Sequence, residues 1–289
     1  MLSAWLGTRV RCTGIAPLDG GMLNSVLRLQ FDHDPYTAVI KLNGDGQAFT
    51  AEARALCHMR ERGFPCPEVY LEDSTPSVLP YRLLLLEALP GVHMGQATLS
   101  DTDRARVERE LAEAMAALHD NTRDTFGSVD EEGPRDWREV FMPDLHKMRA
   151  SLEVKTRLSA TVLDEVDRAI EIGESWLADQ GPPTLIHGDI WAANIIVAQQ
   201  DDGWHLSGVI DPSAQYADAE MELAYLRSFR DPWADFFNAY TALRPLRPGH
   251  ERRWLVYWLR TYLVHVYYFG DQHYQDITAW AARKILASA

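Results

Sequence analysis

The sequence predicts an α+β protein of two lobes, a small β-rich N-terminal lobe over residues 1–90 and a larger, mainly helical C-terminal lobe over residues 91–289. Three observations predict it. Short runs rich in branched and aromatic residues, broken by Gly, Pro, Asn and Asp, fill the first lobe. After the turn at Leu89, Pro90 and Gly91, apolar residues recur at helical spacing instead. Two further apolar runs then frame a polar loop inside the helical half, in the stretch TLIHGDIWAANIIV that starts at Thr184. A loop held between buried strands is a fixed platform for chemistry.

In chain order, VRCTGIAPLDGG, NSVLRLQFD and YTAVIKLNG read as strands with turn residues between them. AFTAEARALCHMRERG follows as a helix: Phe49, Ala53, Leu56, Cys57 and Met59 recur at near-helical spacing, and Gly63 ends it. PCPEVYLED and YRLLLLEALPG give two more strands, and the continuous apolar run from Leu83 to Leu86 suits an interior position. Beyond residue 90, DRARVERELAEAMAALH puts Val107, Leu111, Met115 and Leu118 on one helical face. A second helix covers much of 159–178, and aromatic-rich helices follow Glu220. Between them WHLSGVIDPSAQY reads as a strand that ends on Asp211. The longest apolar stretch, 254–269, is interrupted by Arg260 and His265 and is too short to span a bilayer comfortably, so it reads as a buried helix.

A length of 289 residues allows one large core or two lobes sharing a cleft. Hydrophobic residues at 46% and charged residues at 24% are ordinary for a folded soluble chain. The formal net charge of -14 argues against a nucleic-acid binder, which needs clustered Lys and Arg, and fits a solvated acidic surface. It is also compatible with a cationic or neutral substrate. The first residues, MLSAWLGTRVRC, lack the basic and apolar segments of a signal peptide. Cys12, Cys57 and Cys66 are odd in number and lack metal-ligand spacing, which suits reduced thiols. A cytoplasmic protein without membrane or nucleic-acid partners, monomeric or weakly dimeric, is the expectation.

Four separated features require one explanation. Gly20 and Gly21, with Asn24 and Ser25 after them, form a turn between strands: either a plain hairpin turn or a place where backbone N–H groups approach phosphates. Lys41 lies in the apolar run AVIKLN and either snorkels to solvent or points its ammonium into a site. Glu52, on the helix that follows, is a surface acid or a partner for that Lys. Last come Asp189 and Asn194, four residues between them, and Asp211 after an apolar strand. D-x-x-x-x-N followed by a strand-terminal Asp is the order in which kinases carry their base and metal ligands. The residue types fit the chemistry. An attacking hydroxyl needs an acceptor for its proton, Mg²⁺ needs hard oxygen donors, and a Lys fixed by a Glu steadies nucleotide phosphates.

The motif HGDIWAAN resembles the H-G-D-x-x-x-x-N motif of the aminoglycoside phosphotransferase superfamily. With Trp191 inside it and VIDPSAQYADAEMELAYL downstream, it is most similar to the fructosamine (ketosamine) kinase branch, which carries H-G-D-L-W-x-G-N and D-P-A-x-x-Y-G-x-R-E-x-D-L-A. The segments GGMLNSVLRL, VIKLN and FTAEARAL extend the similarity over most of the chain. The resemblance implies a bilobal protein-kinase-like fold and transfer of the ATP γ-phosphate to a hydroxyl of a small sugar-amine acceptor. It further implies that Asp189 is the catalytic base and that Asn194 and Asp211 bind Mg²⁺. Lys41, paired with Glu52, would contact the phosphates; Glu87 to Leu89 would be the hinge that binds adenine; His187 would brace the loop.

Ala193 stands where the branch usually has Gly, Ala217 where it has Gly, Ala219 where it has Arg and Glu222 where it has Asp, while Glu220 is retained. Met22 occupies a position where some members carry a redox-sensitive Cys, so that disulfide switch is not expected. Trp191 is either a flat wall for a sugar or ring, or a core indole beneath the loop. Asp218 and Glu220 could attract an amine, or Glu220 could anchor the loop by pairing with an Arg. The nearest rival reading is an aminoglycoside or other antibiotic phosphotransferase. A metal-dependent hydrolase using His187, Asp189 and Asp211 is a more distant one, since such sites recruit further His residues.

Overall fold

The computed structural model describes residues 1–18, 24–44, 49–77, 79–228 and 233–289. The chain starts with α1 (Leu2–Trp5), β1 (Cys12–Pro17), β2 (Ser25–Phe31), β3 (Thr37–Asn43), α2 (Thr50–Arg60), β4 (Val69–Asp73) and β5 (Arg82–Glu87). It continues through β6 (Val92–His93), α3 (Asp101–His119), β7 (Gly127–Ser128), α4 (Trp137–Ala150), α5 (Leu152–Arg157) and α6 (Ala160–Trp176). Next come β8 (Thr184–Ile186), β9 (Ile195–Gln200), β10 (Gly203–Val209), β11 (Gln215–Ala217), α7 (Ala219–Arg227), α8 (Ala234–Leu243), α9 (His250–Tyr268) and α10 (Gln272–Ala287).

Contacts divide the chain into two compact units. The first comprises Met1–Leu118 and Asp189–Ala214, the second His119–Gly188 and Gln215–Ala289. Residues 91–118 and 189–214 therefore group with the strands of the first ninety residues, which a lobe division at residue 90 does not anticipate.

The first unit is built on a five-stranded antiparallel sheet in the order β1-β2-β3-β5-β4. Side chains alternate between the faces of a strand, and β3 uses both. Ala38 and Ile40 join Leu2, Leu29, Phe31, Leu83 and Leu85 in one apolar cluster. Lys41 alternates to the other face, between Val26 and Leu84 of the neighbouring strands. Leu83 to Leu86 are all buried, as an interior strand requires. The short α1 caps the apolar cluster, with Trp5 stacked on Tyr70 at 4.6 Å.

A second, three-stranded sheet in the order β10-β9-β6 completes this unit. Gly91 permits that pairing: a Cβ there would lie 2.0 Å from the Val197 carbonyl oxygen, and its φ of +110° is a conformation that L side chains rarely adopt. The hairpin of β9 and β10 starts one residue after Asn194 and ends two before Asp211.

The second unit holds a small sheet, β7-β11-β8, and the helices from α4 onward. Ser159 accepts from the Val162 amide as the N-cap of α6, so this helix starts where its sequence pattern does. The apolar stretch 254–269 lies within α9 but for its last residue, with Trp254, Val256, Tyr257, Leu259, Leu263 and Val266 buried. Gly173 lets α6 approach α9, since a Cβ there would meet Val256 at 2.8 Å. Among the described residues, no helix is long and apolar enough to cross a membrane.

Candidate active site

Lys41 is 6% exposed, yet it is charged by its surroundings. Its ammonium lies 2.5 Å from Glu52 Oε1, on the first turn of α2, and 2.5 Å from Asp211 Oδ1. Burial is the largest single influence and would lower its pKa, but Asp211 and then Glu52 outweigh it and the Lys41 pKa is raised. The Glu52 carboxyl is also raised: burial dominates, Asp211 adds to it, and Lys41 only partly opposes. Two carboxylates thus face one ammonium. The Asp211 side chain remains 46% exposed, so the excess negative charge is open to a further cation.

Asp211 follows β10 with φ +59°, a left-handed conformation that costs a non-glycine residue energy and tends to mark functional positions. Its predecessor Ile210 donates its amide to the Asn194 carbonyl at 2.9 Å, and Val209 donates to Pro65 O at 2.8 Å. The first bond joins the two ends of the β9–β10 hairpin, which carry Asn194 and Asp211, and the second ties the end of β10 to the segment between α2 and β4.

Asn194 is buried, and its Nδ2 donates to both the carbonyl and Oδ2 of Asp189, each at 2.9 Å. Its own amide donates to Trp191 O at 2.9 Å, which closes residues 191–194 into a turn. Ile190 is fully buried beneath this turn, Asp189 is half-buried, and Trp191 is 38% exposed. The Trp191 indole is thus not a core side chain. With Nδ2 engaged by Asp189, the other end of the Asn194 amide is an oxygen, the kind of hard donor that Mg²⁺ takes.

At the end of β5, where the hinge is expected, the Glu87 amide donates to Glu68 O at 2.8 Å, and the Glu87 side chain accepts from the Glu68 amide at 3.0 Å and meets Arg60 at 3.3 Å. Of the expected adenine-binding residues, Glu87 therefore has its amide committed to the sheet edge. Leu89 packs on Gly208, where a Cβ would come within 2.8 Å of Leu89 Cδ1. Gly20, Gly21 and Met22 lie outside the described residues. Asn24 accepts from Asn43 Nδ2 at 2.9 Å, and Ser25 opens β2.

The second unit supplies a different arrangement. Glu222 is 1% exposed and accepts from His119 Nε2 at 2.9 Å, the His187 amide at 3.2 Å and the Gly188 amide at 2.6 Å. Burial is the largest influence on its carboxyl and would raise it, but His119, His187 and the Gly188 amide together hold it below its ordinary value. His119 Nδ1 in turn lies 2.7 Å from Tyr240 Oη.

Asp218 and Glu220, read as possible lures for an amine, are 1% and 4% exposed. Asp218 caps α7 through the Glu220 amide and accepts from Arg247 Nη2 at 2.6 Å. Glu220 accepts from Arg253 Nε and Nη2 at 2.6 and 2.8 Å. Both carboxylates are occupied by arginines in place of an amine, which for Glu220 is the anchoring alternative.

The five residues Lys41, Glu52, Asp189, Asn194 and Asp211 all fall within the first compact unit. Sequence reasoning missed His119 and Tyr240, whose bonds to Glu222 and to each other span 103 and 121 residues. It also missed His93, whose Nδ1 donates to the Ala193 carbonyl. Among the described residues, no group of three or more His, Cys, Asp or Glu side chains could hold a metal, so the ligand set of the hydrolase reading is not assembled.

Comparisons with known proteins bear on the family and the fold. A Staphylococcus aureus protein (strain NCTC 8325) named as a probable ketoamine kinase is 25% identical over 288 residues, covering 94% of this chain and 93% of that protein. The chloroplastic protein-ribulosamine 3-kinase of Oryza sativa subsp. indica is 26% identical over 284 residues, covering 92% and 77%. In structure, a thermostable aminoglycoside phosphotransferase variant in complex with AMP-PNP and hygromycin B superposes with a TM-score of 0.70 over 96% of this chain and 93% of that one. At 22% identity that likeness speaks to the protein-kinase-like fold alone. The sequence model described as fructosamine kinase matches residues 1–288, and the chain belongs to that family.

Proposed function

We propose that this kinase transfers the γ-phosphate of ATP to a hydroxyl of a small ketoamine, with Asp189 as the base that accepts the hydroxyl proton. The observation that carries this reading is the bond from Asn194 Nδ2 to Asp189 Oδ2 at 2.9 Å. That donor orients the carboxylate on the loop, as a positioned base requires. Lys41, steadied by Glu52, binds the nucleotide phosphates, and the backbone from Glu87 to Leu89 receives the adenine. Since the Glu87 amide is used in the sheet, the Glu87 carbonyl and the Leu89 amide are the groups for that contact. Gly20, Gly21, Asn24 and Ser25 are assigned to phosphate contact on their sequence pattern, the first two outside the described residues.

Asn194 and Asp211 are the oxygen donors for Mg²⁺, and the excess negative charge around Lys41 suits a cation there. When bound, the metal neutralises charge on the transferring phosphate. The exposed face of Trp191 offers a flat wall to the sugar of the acceptor. Asp218 and Glu220, paired with arginines, contribute by bracing α7. In this reading the protein works in the cytoplasm as a monomer or weak homodimer, with no nucleic-acid or membrane partner.

A panel of ketosamines, simple amines and aminoglycosides, scored by acceptor-dependent ADP release, tests the assignment. Release with ketosamines is expected. Release with aminoglycosides alone would move the protein to the antibiotic-kinase reading, and release with none of them would set aside this acceptor class.

A further inference from the structure

The carbonyl groups of the loop that carries Asp189 and Asn194 can be followed one by one. Asp189 O accepts from Asn194 Nδ2 and Trp191 O from the Asn194 amide, each at 2.9 Å. Ala192 O accepts from the Gly95 amide at 3.3 Å, Asn194 O from the Ile210 amide at 2.9 Å and Ile195 O from the Met94 amide at 2.8 Å. Ala193 O accepts from the His93 ring. From residue 192 to 195, four consecutive carbonyls each have a donor from outside the loop. Three of those donors are backbone amides, which no substitution short of proline removes. The fourth is a side chain.

The geometry points to His93 as a positioning residue for Asn194. A carbonyl oxygen only accepts, so His93 Nδ1 carries the proton and donates it to Ala193 O. That carbonyl belongs to the peptide whose nitrogen is Asn194 N, so the bond fixes the peptide plane from which the Asn194 side chain springs. Fixing that plane aims the Asn194 amide, with Nδ2 on Asp189 and Oδ1 as the oxygen that would hold Mg²⁺. His93 itself is placed by the pairing of β6 with β9, where it sits opposite Ile196. Its neighbours Met94 and Gly95 grip the same loop, so the ring has little freedom to leave. Metal ligands are oriented by the groups that hydrogen-bond behind them, and His93 is such a group at one remove. The assignment rests on the reading of Asn194 as a metal ligand given above.

The experiment measures binding of a non-hydrolysable ATP analogue by calorimetry across a Mg²⁺ series and in chelator, with no acceptor present. For His93→Ala, the Mg²⁺ concentration that gives half-maximal tightening is expected to rise by roughly 10–100-fold, the usual cost of losing a partner behind a metal ligand. Affinity in chelator and the thermal melt should stay at the parent's values. His93→Asn presents an amide N–H at the position of Nδ1 and should recover the parent's Mg²⁺ requirement. His93→Gln displaces its amide by one bond and should not. A parent-like Mg²⁺ requirement in His93→Ala would overturn the inference, as would equal loss with and without chelator, which signifies general packing. If His93→Ala does not fold, the other pair decides: Asn and Gln variants that behave alike sink the proposal. A parent whose nucleotide binding ignores Mg²⁺ refutes the metal assignment and this role with it, whereas a parent that binds Mg²⁺-nucleotide but phosphorylates no ketosamine refutes only the acceptor.

Discussion

Two carboxylates, the half-buried Glu52 in the first unit and the fully buried Glu222 in the second, are pushed in opposite directions by their surroundings. Each loses solvent, and loss of solvent is the largest influence on both. Glu222 recovers it from three donors, two of them backbone amides, and ends below its ordinary pKa. Glu52 shares its single cationic partner with a second acid, Asp211, and ends above. The difference separates a site from a brace. A fully compensated buried acid stabilises a fold, whereas an under-compensated one at a half-open cluster leaves charge for a ligand to neutralise.

That contrast predicts that the two regions fail differently when cut. Asp189→Asn keeps the size and much of the hydrogen bonding of the side chain and removes only its basicity. It should lower kcat by about 10²–10⁴-fold, the range for a positioned general base. Nucleotide binding and the unfolding midpoint should hold, because Lys41, Asn194 and Asp211 remain. Turnover within a few-fold of the parent would show that Asp189 is not the base. Loss of ATP binding would show that the loop depends on its charge for structure, and the distinction between site and brace would break.

Glu222→Ala is the opposite cut. It leaves His119 Nε2 and the amides of His187 and Gly188 without their shared acceptor, and an unsatisfied buried donor costs about 1–3 kcal/mol. Urea unfolding should therefore show a destabilisation of roughly 3 kcal/mol or more, with activity lost through loss of folded protein. A variant as stable as the parent but inactive would move Glu222 from the brace to the site.

The pH dependence carries the same contrast with its sign reversed. Glu222 is depressed below the 4.5 of a free glutamate, so its contribution is present above that pH and is lost as pH falls through the lower folded value. Glu52 is raised, so it opposes folding above its folded pKa, and the penalty is relieved as pH falls toward 4.5. Stability measured from neutral pH downward should flatten in Glu222→Gln below pH 4.5, and in Glu52→Gln the gain on mild acidification should vanish. Parallel profiles for the two variants would contradict the opposite shifts.

Much of the candidate site was legible because its parts announce themselves locally. Lys41, Asp189, Asn194 and Asp211 stand in or beside short apolar runs, and strand alternation alone places Lys41 on the face opposite Ile40. The helix α6 was legible in its extent, over much of 159–178, and the structure adds Ser159 as its cap. Other parts left no local trace. Helix α4 carries Pro143 in its interior, which breaks the pattern a helix normally shows. Its buried Trp137, Phe141, Met142 and Leu145 hold it by tertiary packing instead. His93, His119 and Glu222 act across about a hundred residues of chain, or through backbone amides that every residue possesses, so neither residue type nor spacing betrays them. For the same reason Asp218 and Glu220 could be read as lures for an amine, with pairing to an Arg the open alternative for Glu220. An acid beside a motif resembles a ligand until Arg247 and Arg253, distant in sequence, are seen to occupy it.

The smallest expected effect belongs to Trp191, which lies on the border between the two behaviours. It follows Asp189 by two residues, inside the turn closed by the Asn194 amide, and its indole is 38% exposed. A Trp held at a loop surface stays there at the cost of water contact with a large apolar face, a cost that stacking on a sugar ring would offset. Truncation at an exposed position leaves little cavity, so Trp191→Ala should shift the unfolding midpoint only slightly. The contacts it loses belong to one substrate, so the acceptor KM should rise by roughly 10-fold, as befits about 1.4 kcal/mol of ground-state and transition-state binding lost alike. The KM for ATP and kcat at saturating acceptor should stay near the parent's. Trp191→Phe keeps a flat face and should recover most of the affinity. If both KM values hold while the melting temperature drops, the indole supports the turn beneath it and belongs with Glu222 among the braces. If kcat falls in both variants with KM unchanged, the ring acts by steadying Asp189, and the acceptor wall must be sought elsewhere.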